Sequence, residues 1–189
     1  VVNQDLYPRG RTSLKAVIDR LHAADIKAGL HTYSFLIDKE CPWVTPVPDP
    51  RLAKDAVFTL AFDISVAADL VSVEESTEKM SSIYDGWMVR NSLTLQIDDE
   101  LITYKGISKE LPYAFIECQR GALGTQVASH QAGARVYHLK EHYRRFGPDG
   151  ESTLLTEVAQ ATADIYNECG FDMLYFDALD SQDMLHSWE

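Results

Sequence analysis

The chain has 189 residues, a hydrophobic fraction of 46%, a charged fraction of 24% and a formal net charge of −12. Such a length buries one good core and a smaller second one, and the balance is that of an ordinary globular protein. The acidic excess argues against nucleic-acid or anionic-membrane partners, because phosphate binding needs basic patches. The basic clusters at Arg9/Arg11 and within residues 140–145 are diluted by acids. No apolar run is long enough to span a bilayer. The opening Val1-Val2-Asn3 lacks methionine, so a processed chain or an excised piece is expected. Cys41, Cys118 and Cys169 lie far apart without CxxC spacing, which disfavours a metal knuckle or a disulfide framework.

Leu14, Val17, Ile18 and Leu21 recur at helical spacing after Thr12-Ser13, a good N-cap pair, and the helix should end near Ala24-Asp25. Residues 26–35 then read as a strand. The proline-rich stretch 41–50 cannot be helix interior or central strand, so it reads as a stiff exit. From residue 57 to 138 the pattern changes to short strands with turn signals. Candidates are residues 57–64, 70–74 and 113–118, with a hairpin of 93–97 and 100–104 about an Asp98-Asp99 turn. Residues 152–169 return to helical spacing, with Ser152 or Thr153 as cap and Gly170 where a left-handed C-terminal residue is wanted. Met173, Leu174, Tyr175 and Phe176 then form an unbroken apolar run, the pattern of a parallel strand covered on both faces. Asp177 ends that strand.

Helix, turn and strand thus occur twice, in residues 1–49 and 139–189, around a β-rich stretch of residues 50–138. The expected fold is α/β: part of a (β/α)8 TIM-type barrel with an inserted antiparallel β-rich domain. Two such αβ units cannot close a barrel, so an open sheet edge and self-association through it are also expected.

The motifs Tyr7-Pro8-Arg9-Gly10, Lys27-Ala28-Gly29-Leu30-His31 and Leu174-Tyr175-Phe176-Asp177 resemble those of the α-galactosidase-like clan of (β/α)8 glycoside hydrolases. The family strand ends in Lys-aromatic-Asp, whose Asp is the nucleophile. Here Tyr175 stands in place of that lysine, and His31 in place of a tyrosine. The resemblance implies a retaining glycoside hydrolase, from a secreted or surface polysaccharide-degrading enzyme, with Asp177 as nucleophile. It also implies an acid/base from a later strand outside these residues. The β-rich stretch resembles small β modules of phage tail and surface proteins, which share an acidic hairpin, then Arg-Gly-x-x-Gly-Thr and a downstream His and Gly, here Arg120 to Thr125, His130 and Gly133.

Bond cleavage by a retaining glycosidase needs two carboxylates about 5–5.5 Å apart, one as nucleophile and one as acid/base. Asp177 suits the first role, because a strand's end fixes its direction. His31 and Tyr33 alternate on one side of their strand and suit sugar stacking and hydroxyl hydrogen bonds; Tyr175 and Asp180 join them as candidate substrate contacts. Trp43 is either a sugar platform or the anchor of its loop. His130, His138 and His142 lack ligand spacing, so no metal is called for. No phosphate-cradling glycine loop or nucleophile elbow asks for a cofactor. The expected partner is a carbohydrate. The rival reading is a non-catalytic carbohydrate-binding or structural module.

Overall fold

The computed structural model describes residues 2–84 and 88–186. In chain order its elements are α1 (Arg11–Ala23), β1 (Gly29–Thr32), β2 (Lys54–Thr59), β3 (Leu70–Ser72), β4 (Thr94–Ile97) and β5 (Glu100–Thr103). They continue with β6 (Gly106–Ser108), β7 (Ala114–Ile116), β8 (Arg135–Leu139), β9 (Glu141–His142), β10 (Arg145–Phe146), α2 (Thr153–Cys169) and β11 (Met173–Phe176). Short 3-10 segments cover Ala122–Gly124 and Leu179–Leu185.

Local signals explain the helices. Ser152 caps α2, its hydroxyl accepting from Leu154 N, and Gly170 closes the helix at φ 79 with its N–H donating to Tyr166 O. In α1 the start differs from the Thr12-Ser13 expectation. Gly10 is the N-cap at φ 56, and Ser13 Oγ instead accepts from Arg9 N at 3.0 Å. The two helices pack against one another on the side of the parallel pair β1–β11.

The barrel expectation is overturned, and with it the resemblance to the α-galactosidase-like clan of (β/α)8 glycoside hydrolases. Most strands lie in small antiparallel sheets: four strands in the order β2-β8-β4-β5, three in the order β3-β7-β6, and the pair β9-β10. Among the described residues the one parallel ladder is β1 with β11, in the register Gly29↔Met173, Leu30↔Leu174, His31↔Tyr175 and Thr32↔Phe176. A barrel needs a closed ring of eight parallel strands with a helix behind each, and the described residues supply neither. The chain is a small β-rich protein carrying a single αβ layer.

Two further differences follow. The strand expected over 26–35 is only Gly29–Thr32, because positive φ at Asp25 (58) and Ser34 (51) turns the backbone at either side. The apolar run of β11 is not enclosed: Met173, Tyr175 and Phe176 are 60%, 55% and 48% exposed. Met173 and Tyr175 lie on a face that no described element covers, and Phe176 lines an open groove against α2 on the other.

The hairpin falls where its turn signal put it. Ile97 faces Glu100 across Asp98-Asp99, and Asp98 takes the positive φ of 50 that a tight two-residue turn demands. One core lies between the antiparallel sheets, around Phe58, Leu95, Ile102, Tyr104, Phe115 and Val136. A second joins Ile37, Leu52, Leu101, Leu139, Phe146 and Leu154, so residues 1–49, 50–138 and 139–189 all contribute to it. At their meeting point Lys54 pairs with Leu139, Lys140 N donates to Ala53 O at 2.8 Å, and Ile37 bridges Phe146.

Glu100 is the buried charge that organises the β-rich stretch. Arg120 grips it twice, from Nε at 2.9 Å and from Nη2 at 2.7 Å, and His130 Nε2 lies at 2.9 Å. Gly121 N and Ala128 N donate to the same carboxylate. Burial pushes the Glu100 carboxyl up, but Arg120, His130 and the two amides outweigh it and hold it below the usual range. Gly121 sits at φ 61, and a Cβ there would come within 2.7 Å of Val127 Cγ2. Thr125 Oγ1 accepts from Leu101 N at 3.0 Å. Arg120 and Gly121 of the Arg-Gly-x-x-Gly-Thr run thus hold the carboxylate itself, and Thr125 holds the backbone of the next residue, Leu101.

Removing that carboxylate should leave Arg120 buried without its partner. Glu100→Ala is expected to lower unfolding stability by about 3–5 kcal/mol, measured by urea denaturation. A loss within surface-mutation scatter, about 0.5 kcal/mol, would count against the assigned role.

Asp172 ties the end of α1 to the start of β11. Its carboxylate accepts from Ala28 N at 2.9 Å, faces His22 Nε2 at 2.8 Å and pairs with Lys27 at 3.3 Å. The Ala28 amide first, then His22, lower its pKa to about 2. A carboxyl depressed on folding adds stability above its unfolded value of about 3.9 and loses it as pH falls towards the folded value. Thermal melts should therefore weaken between about pH 4 and pH 2, and Asp172→Asn should remove that part of the slope.

Candidate active face

The β1–β11 register builds the site. Because side chains alternate along a strand, Gly29 and His31 share a face with Met173 and Tyr175, and Asp177 follows on the same side. Leu174 and Phe176 point the other way, into an apolar groove of about 350 Å³ that Leu155, Ala159, Thr162 and Ala163 of α2 also line. The ladder runs one step beyond β11, with Asp177 N donating to Thr32 O at 2.8 Å.

Asp177 is aimed by its own backbone. Ala178 takes φ 59, and this turn brings its N–H to Asp177 Oδ1 at 2.8 Å. Oδ2 lies 3.1 Å from His31 Nε2, and the Asp177 carbonyl accepts from Ser34 Oγ at 2.5 Å. The Ala178 amide, and after it His31, hold the Asp177 carboxyl below the ordinary carboxylate range. The side chain is 44% exposed. It is an ionised carboxylate on an open face.

A row of aromatic rings leads away from it through His31. His31 lies 5.2 Å from Tyr175 and 5.8 Å from Tyr33, centroid to centroid. Tyr33 stands just beyond the end of β1, with the Arg145 guanidinium 4.2 Å from its ring centroid. Tyr143 lies 6.3 Å from Tyr33, and its hydroxyl donates to Asp180 Oδ2 at 2.9 Å. Hydrogen bonding to Asp180 raises the Tyr143 pKa. Arg90 donates to the Asp180 carbonyl at 2.6 Å and pairs with Asp183.

The structure thus places His31 in contact with both Asp177 and Tyr175, with Tyr33 beside His31. Asp180 belongs to a neighbouring network with Tyr143 and Arg90. Sequence reading missed Tyr143, Arg145 and Arg90. The first two lie in residues 140–145, which composition marks only as a diluted basic cluster. Nothing in periodicity assigns them to a face built by β1 and β11.

Other candidates go elsewhere. Trp43 is half-buried against the second core and anchors its loop. His130 bonds Asp98 and Glu100, His138 bonds Asp55 and Tyr104, and His142 bonds Ser181, so the three sit in separate networks. Among the described residues, no group of three His, Cys, Asp or Glu side chains is placed to hold a metal ion. No described helix is long and apolar enough to cross a membrane.

Fold and face together define a β-rich protein whose αβ layer presents a carboxylate among stacked rings. Comparison with protein-family models, with curated proteins and with solved structures finds no match.

If the Ala178 amide is the larger influence on Asp177, His31→Ala should raise the Asp177 pKa only part of the way to its ordinary value. Carboxyl-carbon NMR titration of the two proteins reads this directly. A full return to about 3.9 would assign the depression to His31 alone.

Proposed function

We propose that the chain is carbohydrate-active, with Asp177 as the nucleophile of a retaining glycoside hydrolase and His31, Tyr33, Tyr175 and Asp180 as sugar contacts. The carrying observation is Asp177 itself: ionised, half-exposed at a strand end, and held by His31, whose ring lies 5.2 Å from that of Tyr175. A glycosidase nucleophile has to be ionised to attack the anomeric carbon. Aromatic rings offer apolar faces on which sugar C–H surfaces pack, while hydroxyls find carboxylate and imidazole partners. Asp180, tied to Tyr143 and Arg90, is assigned to hydroxyl binding. This reading also requires an acid/base carboxyl, a role to which no described residue is assigned.

In the first step an Asp177 oxygen forms the bond to the anomeric carbon as the glycosidic bond breaks, and the departing oxygen takes a proton from the acid/base group. The His31 and Ala178 contacts orient Asp177 for this attack. A second reading, binding without cleavage, is favoured by the same contacts, since both Asp177 oxygens are engaged in the free protein.

One experiment separates them. A fluorosugar bearing a dinitrophenolate leaving group needs no proton donor for the first step. Incubated with such reagents across the common sugar configurations, the chain should gain one glycosyl adduct, located at Asp177 by peptide mass mapping and lost in Asp177→Asn. Sugar binding without any adduct would leave the non-catalytic reading. An adduct elsewhere would sink the assignment of Asp177.

A further inference from the structure

The rings do not stop at Asp177. From Tyr175 the steps run to His31 at 5.2 Å, to Tyr33 at 5.8 Å and to Tyr143 at 6.3 Å, with His142 stacked behind Tyr143 at 3.9 Å. Three of these rings come from β11, β1 and the residue after β1. Tyr143 comes from the turn between β9 and β10, a different part of the chain. We infer that Tyr143, with Arg145 and Asp180, forms a further binding subsite beyond the Asp177 pair, so that the face takes an extended neutral polysaccharide rather than a single sugar. This inference rests on the sugar-binding reading above.

The rings are held before any ligand arrives. Tyr33 and Tyr143 both pack on the cluster of Phe35, Leu36, Ala178 and Met184, which also contains the residue that aims Asp177. Arg145 lies against the Tyr33 ring and donates to the Tyr143 carbonyl at 3.1 Å, and the Tyr143 hydroxyl is fixed on Asp180. Tyr33 and Tyr143 therefore share one support, one guanidinium and one spacing. Side chains ordered in advance spare a ligand much of the entropy cost of binding.

Charge selects the polymer. The cations of this face are already engaged, Arg90 with Asp183 and the Asp180 carbonyl, and Arg145 near Asp38 at 3.5 Å. Against these two guanidiniums stand four carboxylates, Asp38, Asp177, Asp180 and Asp183, so the face keeps an acidic excess on a chain of net charge −12. A polyuronate or sulfated chain would meet like charge. A neutral chain meets only hydroxyl acceptors and ring faces.

The test is calorimetric titration of the chain with neutral linear gluco-, manno-, xylo- and galacto-oligosaccharides, from monosaccharide to hexasaccharide. In the series that binds, affinity should rise with length over about three or four sugar rings, each added ring tightening binding roughly two- to tenfold, and then level off. Tyr143→Ala should abolish the gain of the longer oligomers and weaken the shortest binder much less, through the freed Asp180 alone. Tyr143→Phe, which keeps the ring, should retain most of the gain and guards against misfolding of the alanine variant. Length-independent binding, or equal weakening of short and long oligomers by Tyr143→Ala, would overturn the extended subsite while leaving the sugar-binding reading standing. Tighter binding of an oligouronate than of its neutral counterpart would overturn the charge argument. No binding in any series would sink both readings together.

Discussion

The register of β1 against β11 is the constraint on which the candidate face depends. It brings His31 to Asp177, 146 positions further along the chain. Side-chain parity then does the rest. A slip of one residue would turn His31 away from Tyr175 and exchange Asp177 for a side chain from the groove face. Asp172 reinforces the register by bonding Ala28 N just before the ladder begins, and Asp177 N extends it by bonding Thr32 O just after.

Bringing two strands together across so much chain carries an entropic cost that grows with the loop between them. The β-rich stretch shortens that loop in effect. Lys54 pairs with Leu139 and Ala53 exchanges backbone hydrogen bonds with Lys140 and Gly147, so the chain leaves and returns at nearly one place. The second core then crosses the junction, with Leu52, Leu101 and Leu139 against Ile37, Phe146 and Leu154. Formation of the antiparallel sheets and closure of the parallel pair are thus coupled through shared packing. The Glu100–Arg120–His130 network sits within the half that makes this closure cheap. It is a fully buried charge whose satisfaction depends on one loop conformation, which gives the loop a single permitted shape.

Much of the secondary structure was legible. Ser152 and Gly170 bound α2 because a cap and a left-handed closing residue act within a few positions, and the Asp98-Asp99 hairpin has its register set by a two-residue turn. The identity of Asp177 as a strand-end carboxylate was legible too, as was its shared parity with His31 and Tyr175. The barrel was not there to be read. A helix, a turn and a strand have the same local pattern in a two-stranded layer as in a closed ring, and closure is a property of strands that pair, not of any one unit. The apolar run of β11 misled in the same way: Met173 and Tyr175 have the composition of a covered strand, but coverage requires an element packed on that face.

By itself the sequence determined what depends on neighbours a few residues away: the two helices, the tight hairpin, the alternation that puts His31, Tyr175 and Asp177 on one side, and the acidic balance that disfavours polyanions. Tertiary structure alone decided which sheets form, that Tyr143 and Arg145 stand beside Tyr33, that Asp180 is drawn to Tyr143, and that Glu100 is the carboxylate Arg120 serves. The physical reason is range. Caps, turns and parity are settled by backbone geometry over a few bonds, whereas a contact such as Tyr33 with Tyr143 exists only once distant segments have paired and their shared core has closed.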